Sequence, residues 1–187
     1  QYMSDEDLIT LATELEGHPD NVAAAFYGGA TIAWLESKIN SEGESSNVGR
    51  AVSLKVDDRI KALLLVPENQ LSTAKARKLL PESISHQDAV LNSSRTALLV
   101  HALAERPDLL FTATEDLLHQ KYREEAMPKS IALVEKLRGA GLAAVVSGAG
   151  PSVMVLYSGA EDEIDQIQSV SPGFTAMKLA IAKTGVQ

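Results

Sequence analysis

A chain of 187 residues, 45% apolar and 22% charged, has the balance of an ordinary globular protein of one or two domains. Its net charge of −8 counts against nucleic acid or an anionic membrane as partner, since both draw basic surfaces, although a few placed arginines can still bind an anion. The absence of cysteine excludes disulfides and thiolate metal sites and suits a reducing cytoplasm, and no apolar run approaches the roughly 20 residues of a membrane span.

The amino terminus, Gln1-Tyr2-Met3-Ser4, has neither an initiator methionine nor signal-peptide character, so the chain is expected to begin inside a longer protein. Residues 4–16 read as a helix capped by Ser4, with Asp5, Glu6 and Asp7 in its first turn and an apolar stripe of Leu8, Leu11, Ala12 and Leu15. Gly17 ends it, and a second helix runs from Pro19 to Phe26 before Gly28-Gly29. Thr31 to Leu35 alternates as a strand, with Trp34 in the core. The polar stretch Ser37 to Asn47 reads as a surface excursion before a strand at Val48 to Val56. Ile60 to Val66 is a further strand; its run Ala62-Leu63-Leu64-Leu65-Val66 predicts a central position covered on both faces. Helical periodicity follows over 72–80, 86–104, 107–119 and 128–138. Leu142 to Val146 and Ser152 to Tyr157 are strands around a glycine turn, Glu163 to Val170 is a weak helix, and Phe174 to Ala182 is a closing strand. The order predicts an α+β sandwich with a domain boundary at Asp57-Asp58.

Glu16-Gly17-His18-Pro19-Asp20-Asn21 places two carboxylates, an imidazole and an amide at a helix start. One reading is a plain interhelical loop with Asp20 or Asn21 as cap. The other is a site, because helix amino termini favour anions and a nearby carboxylate can hold Mg²⁺ against a triphosphate. Ser147-Gly148-Ala149-Gly150-Pro151-Ser152 is either a hairpin turn or a place where glycines admit a ligand to the backbone and its N–H groups. It is no Walker loop and no dinucleotide fingerprint. Arg77 and Arg123 are each a solvated charge or, converging, a clamp for a carboxylate. His86, His101 and His119 read as caps or packing residues and not as metal ligands; Lys75 and Lys78 face water.

In this order the pieces resemble the homoserine kinases of the GHMP small-molecule kinase superfamily. Glu16 to Ala23 with Gly28-Gly29 is similar to their central motif, Ser147 to Ser152 to their third motif, and the stretches around Thr73–Arg77 and Tyr122–Pro128 lie at family-like spacing. The resemblance implies the tail of a ribosomal-protein-S5-like domain over residues 1–57 and a ferredoxin-like domain over 58–187. It implies ATP and Mg²⁺ as cofactors, L-homoserine as substrate, a cytoplasmic homodimer, and O-phospho-L-homoserine as product in threonine biosynthesis.

By the same resemblance Glu16 is a Mg²⁺ ligand and Asn21 contacts the homoserine hydroxyl end. Thr73, Arg77 and Arg123 hold the homoserine carboxylate, while Gly148 and Gly150 let the loop approach substrate and ATP. His18 and Asp20 orient the turn. Asn21 stands where sister kinases carry an aspartate, and an amide is no general base, so the substrate proton is expected to leave without a protein carboxylate; Asp20 is the adjacent alternative that keeps a base. The family's second motif, a Pro-x-x-x-Gly-Leu-Gly-Ser-Ser-Ala phosphate loop, does not occur in this sequence and is expected before Gln1, so these residues alone are expected to be inactive. The rival readings are another GHMP kinase, acting on mevalonate or a sugar, and a non-catalytic binding member of the superfamily.

Overall fold

The computed structural model describes residues 3–39, 43, 45–68, 78–159, 161–167 and 171–186. The chain folds as two compact units. One runs to Val56 and takes back the tail from Ile181; the other is Asp57–Ala180. The second domain was expected to continue to residue 187, whereas the closing segment packs with the first unit.

In the first unit, α1 spans Asp5–Glu16. Ser4 caps it: its hydroxyl accepts the Asp7 N–H at 3.2 Å, and the Asp7 carboxylate accepts the Ser4 N–H at 3.4 Å. This reciprocal box satisfies donors that the first turn otherwise leaves unpaired. Ser4→Ala is expected to lower stability by about 1 kcal/mol in chemical denaturation.

The expected apolar stripe is not what the helix buries. Leu8, Leu11 and Leu15 are exposed, and Ile9 and Thr13, one turn apart, face the interior. The reason is Gly49, whose missing side chain leaves the space that Thr13 fills. Helix α2 spans Pro19–Tyr27 and buries Ala23.

Strands β1 (Ala30–Ile39) and β2 (Ser45–Leu54) form an antiparallel hairpin from Ala30 opposite Leu54 to Ile39 opposite Ser45. Much of the predicted excursion is therefore ladder. Polar side chains decorate its exposed face, as where Ser37 donates to Asn47 at 3.0 Å. Trp34 is 43% exposed, not core; across the hairpin from it Arg50 pairs with Glu36 and Glu6.

The second unit runs β3 (Ile60–Pro67), α3 (His86–Ala104), α4 (Leu110–Ala113), α5 (Pro128–Gly139), β4 (Ala143–Val146), β5 (Val153–Ser158), α6 (Glu161–Ile167) and β6 (Phe174–Ala180). Its four-stranded sheet has the order β4-β5-β3-β6 with every neighbouring pair antiparallel. This is the β-α-β-β-α-β arrangement of a ferredoxin-like fold.

Leu63 and Leu65 of β3 are buried against Leu133, Val134 and Leu137 of α5 and Ile164 and Ile167 of α6. Each such side chain contributes roughly 1.5–3 kcal/mol by leaving water. The predicted cover on the other face holds at Ala62, which is buried, and only partly at Leu64.

The helix predicted over 107–119 is broken into a 3₁₀ turn at Pro107–Leu109, the single turn α4, and a loop. Side chains compete with its backbone bonds. The Thr114 hydroxyl donates back to the Leu110 carbonyl at 2.8 Å, and Asp116 collects the N–H groups of Leu118, His119 and Gln120 at 3.2, 2.9 and 2.6 Å. Burial pushes the Asp116 carboxyl up, but hydrogen bonds from the His119 ring and from the Gln120 and His119 amides outweigh it and hold the group below its ordinary value.

Strand β4 is a sheet edge, and two side chains seal it. Gln120 accepts the Val146 N–H at 2.7 Å and Arg138 donates to the Ala144 carbonyl at 3.3 Å. No helix among the described residues is long and apolar enough to cross a membrane.

Candidate active site

Glu16 is the last residue of α1 and Asn21 sits in the first turn of α2, so the turn between the helices holds both, and both are exposed. Neither Asp20 nor Asn21 caps α2 as one reading expected. The residue before Pro19 is His18, whose side chain makes no capping bond, and Asp20 instead accepts the N–H of Asn21 at 2.7 Å.

Glu14 and Glu16 stand at the carboxyl end of α1, where the helix carries partial negative charge and no basic residue occupies the last turn. A cation is favoured there on electrostatic grounds. Among the described residues no three His, Asp or Glu side chains group as a metal site. One carboxylate fits the way Mg²⁺ binds, through one or two protein ligands with substrate phosphates and water completing the shell.

In the second unit the loop from Ser147 to Ser152 connects β4 to β5. Its own turn is closed by the Ser147 N–H donating to the Ser152 carbonyl at 2.8 Å and the Gly150 N–H to the Ser147 carbonyl at 2.9 Å. The Gly150–Pro151 peptide is cis. The two glycines do different work. Gly148 is exposed at φ +57°, and a Cβ there would meet nothing within 4 Å, so a ligand can approach its backbone. A Cβ on Gly150, at φ +82°, would lie 2.6 Å from the Met127 Sδ and Cε atoms. What requires glycine at 150 is packing from within.

Arg123, expected at the carboxylate clamp, is only 7% exposed and donates through Nη1 to the Gly148 carbonyl at 3.0 Å. The structure thus joins Arg123 directly to the glycine loop. Its predicted companions Thr73 and Arg77, with Lys75, lie outside the described residues. His119 is oriented by Asp116, with its Nδ1 2.9 Å from that carboxylate, and Lys78 is exposed.

Sequence reasoning missed Gln120, Met127 and Ser130, all of which touch this loop or its approach. The spacing of 120, 123, 127 and 130 by threes and fours was the available signal, although the stretch folds as a 3₁₀ turn over Gln120–Arg123 followed by a helix that starts at Pro128.

Residues 94–171, which fall within the second unit, match the family described as GHMP kinases C terminal. The relatives narrow the likeness. The chain is 46% identical over 184 residues to the homoserine kinase of Streptomyces coelicolor, covering 98% of this chain and 56% of that protein. It is 46% identical over 181 residues to the homoserine kinase of Mycobacterium tuberculosis, again covering 56% of the relative. The chain therefore spans little more than half the length of the relatives it matches. The crystal structure of homoserine kinase from Cytophaga hutchinsonii superposes with a TM-score of 0.73 at 24% identity, over 98% of this chain and 60% of that one, which shows a shared fold.

Proposed function

We propose that this chain is part of an ATP-dependent kinase that phosphorylates the hydroxyl of L-homoserine to give O-phospho-L-homoserine for threonine biosynthesis. The observation that carries this reading is the 46% identity to homoserine kinases across nearly the whole chain. The exposed backbone of Gly148 and the carboxylate-bearing turn at Glu16–Asn21 supply the kinds of group that such chemistry needs.

Phosphoryl transfer depends on holding the two reacting oxygens in line and offsetting the charge between them. In this reading Asn21 orients the homoserine hydroxyl through its amide. Arg123 and Arg77, with Thr73, receive the carboxylate, and Gly148 lets the loop close on the ligand. Glu16 would hold Mg²⁺, which when bound neutralises phosphate charge. Asn21 cannot take a proton, so in this reading the substrate proton leaves without a protein base; Asp20, whose carboxylate already accepts the Asn21 N–H, is the adjacent alternative.

The test is an ADP-release assay on the full-length enzyme with homoserine, mevalonate and galactose in turn. Turnover is expected with homoserine alone. Arg77→Ala and Arg123→Ala are each expected to raise the KM for homoserine about tenfold to a hundredfold, and that for ATP far less, the loss of a charge-assisted contact. Turnover of mevalonate or galactose in preference, or of none of the three, would transfer the chain to another member of the superfamily or to a binding role.

A further inference from the structure

Side chains from one stretch of backbone meet the glycine loop and its approach at successive points. Gln120 accepts the Val146 N–H at 2.7 Å, where β4 runs into the loop. Arg123 donates to the Gly148 carbonyl at 3.0 Å. Met127 fills the space beside Gly150, and with Ile131 it packs on Val146 and Ala149. Ser130 donates its hydroxyl to the Pro151 carbonyl at 2.5 Å. Met127 and Ser130 are buried and Gln120 is half-buried, so these contacts form in a setting that keeps competing water away.

The contacts fix the direction of peptide planes. In a trans peptide unit the carbonyl and the following N–H point opposite ways. Holding the Gly148 carbonyl towards Arg123 turns the Ala149 N–H away from it. The turn spends the N–H groups of Ser147 and Gly150, whereas no hydrogen bond engages that of Ala149 among the described residues. The backbone at Gly148, one residue before, is open to approach.

We propose that Gln120 and Ser130 are positioning residues for ligand binding at this loop. With Arg123 they form a splint that sets its peptide planes and leaves the Ala149 N–H as a preorganised donor to an anionic oxygen of the substrate. Neither Gln120 nor Ser130 touches the ligand; they act through the backbone. The inference rests on the reading that this loop lines the homoserine site.

The test is steady-state kinetics of the full-length enzyme with L-homoserine and Mg·ATP, alongside a melting curve of each variant. Gln120→Leu and Ser130→Ala are expected to raise the homoserine KM about tenfold and to leave the ATP KM within about twofold, since a loop displaced by a fraction of an ångström loses aligned donors. Gln120→Glu keeps an acceptor for the Val146 N–H and is expected to restore the wild-type KM. A lowered melting temperature with an unchanged homoserine KM in both variants is what a purely structural role produces, and it overturns the proposal. Should Gln120→Leu fail to fold, Ser130→Ala decides by the same split.

Gly148→Ala, which puts a methyl group into the open space, tests the site itself. A raised homoserine KM there, with wild-type values in Gln120→Leu and Ser130→Ala, removes the splint and keeps the site. A wild-type value in Gly148→Ala removes the site as well.

Discussion

Gly28→Ala and Gly185→Ala are each expected to loosen the carboxyl-terminal tail from α2 and to lower the stability of the first unit by about 3–5 kcal/mol. The tail lies backbone to backbone on the end of that helix. The Val186 N–H donates to the Ala25 carbonyl at 2.9 Å, and the Gly29 N–H to the Ala182 carbonyl at 2.7 Å. Two glycines make this approach possible. A Cβ on Gly28 would come within 2.5 Å of the Thr184 carbonyl carbon, and one on Gly185 would overlap the Phe26 carbonyl. Backbone atoms cannot rotate aside as a side chain can, so the tail itself must move.

Gly28 carries a second penalty, since its φ of +75° with ψ −176° lies in a region that only glycine adopts readily. Gly17→Ala is the control: its φ is +87° but a Cβ there would meet nothing within 4 Å, so it reports backbone strain alone, about 1 kcal/mol. The check is urea unfolding of the full-length protein, with hydrogen exchange read at the Gly29 and Val186 amides. Exchange at those amides as slow in Gly28→Ala as in Gly17→Ala would mean that the tail is not held this way.

Arg138→Met is expected to cost the second unit about 3 kcal/mol, the sum of several charge-assisted bonds less the packing that methionine keeps. The Arg138 guanidinium donates to the Phe111 carbonyl at 2.8 Å, the Thr114 hydroxyl at 3.0 Å and the Ala144 carbonyl at 3.3 Å. It also lies 4.5 Å from the centroid of the Phe111 ring. It thereby ties α5 to α4 and to the edge of β4. Burial lowers its pKa, yet a guanidinium stays charged at any pH at which the fold persists. Arg138→Lys keeps the charge without the fork and is expected to recover less than half of the loss. Denaturation midpoints of the two variants decide it, and a Met variant within about 1 kcal/mol of wild type would show these bonds to be replaceable by water.

Local chemistry was legible in the sequence wherever a few neighbouring residues decide the outcome. Ser4 and Asp7 announced the start of α1, and the apolar run in β3 announced a strand flanked on both sides, as β5 and β6 now show. Where the outcome depends on residues far apart, the sequence misled. Leu8, Leu11 and Leu15 looked like a core stripe, but Gly49 draws the other side of α1 inward. The periodicity of 107–119 was real, yet Thr114 and Asp116 hold their own backbone in turns. Trp34 belongs to an exposed ladder position whose register no local pattern sets.

The site divides in the same way. The glycine loop could be read as a motif because its conformation is a property of consecutive residues. The bonds from Gln120 and Ser130 span 26 and 21 residues and end on backbone atoms, which every residue has, so no residue type at the receiving end betrays them.

The return of the tail to the first unit has a consequence for how the chain is partitioned. The second unit begins at Asp57 and ends at Ala180, and Lys61 and Ala180 are paired neighbours on β3 and β6. Its first and last strands run side by side at that end of the sheet, with the Cα atoms of Lys61 and Ala180 roughly 5 Å apart. The ferredoxin-like unit is thus a cassette inserted into its host, spliced through two adjacent strands, and a chain in which residues 57 and 180 are bridged by a short linker would carry the host sequence without interruption.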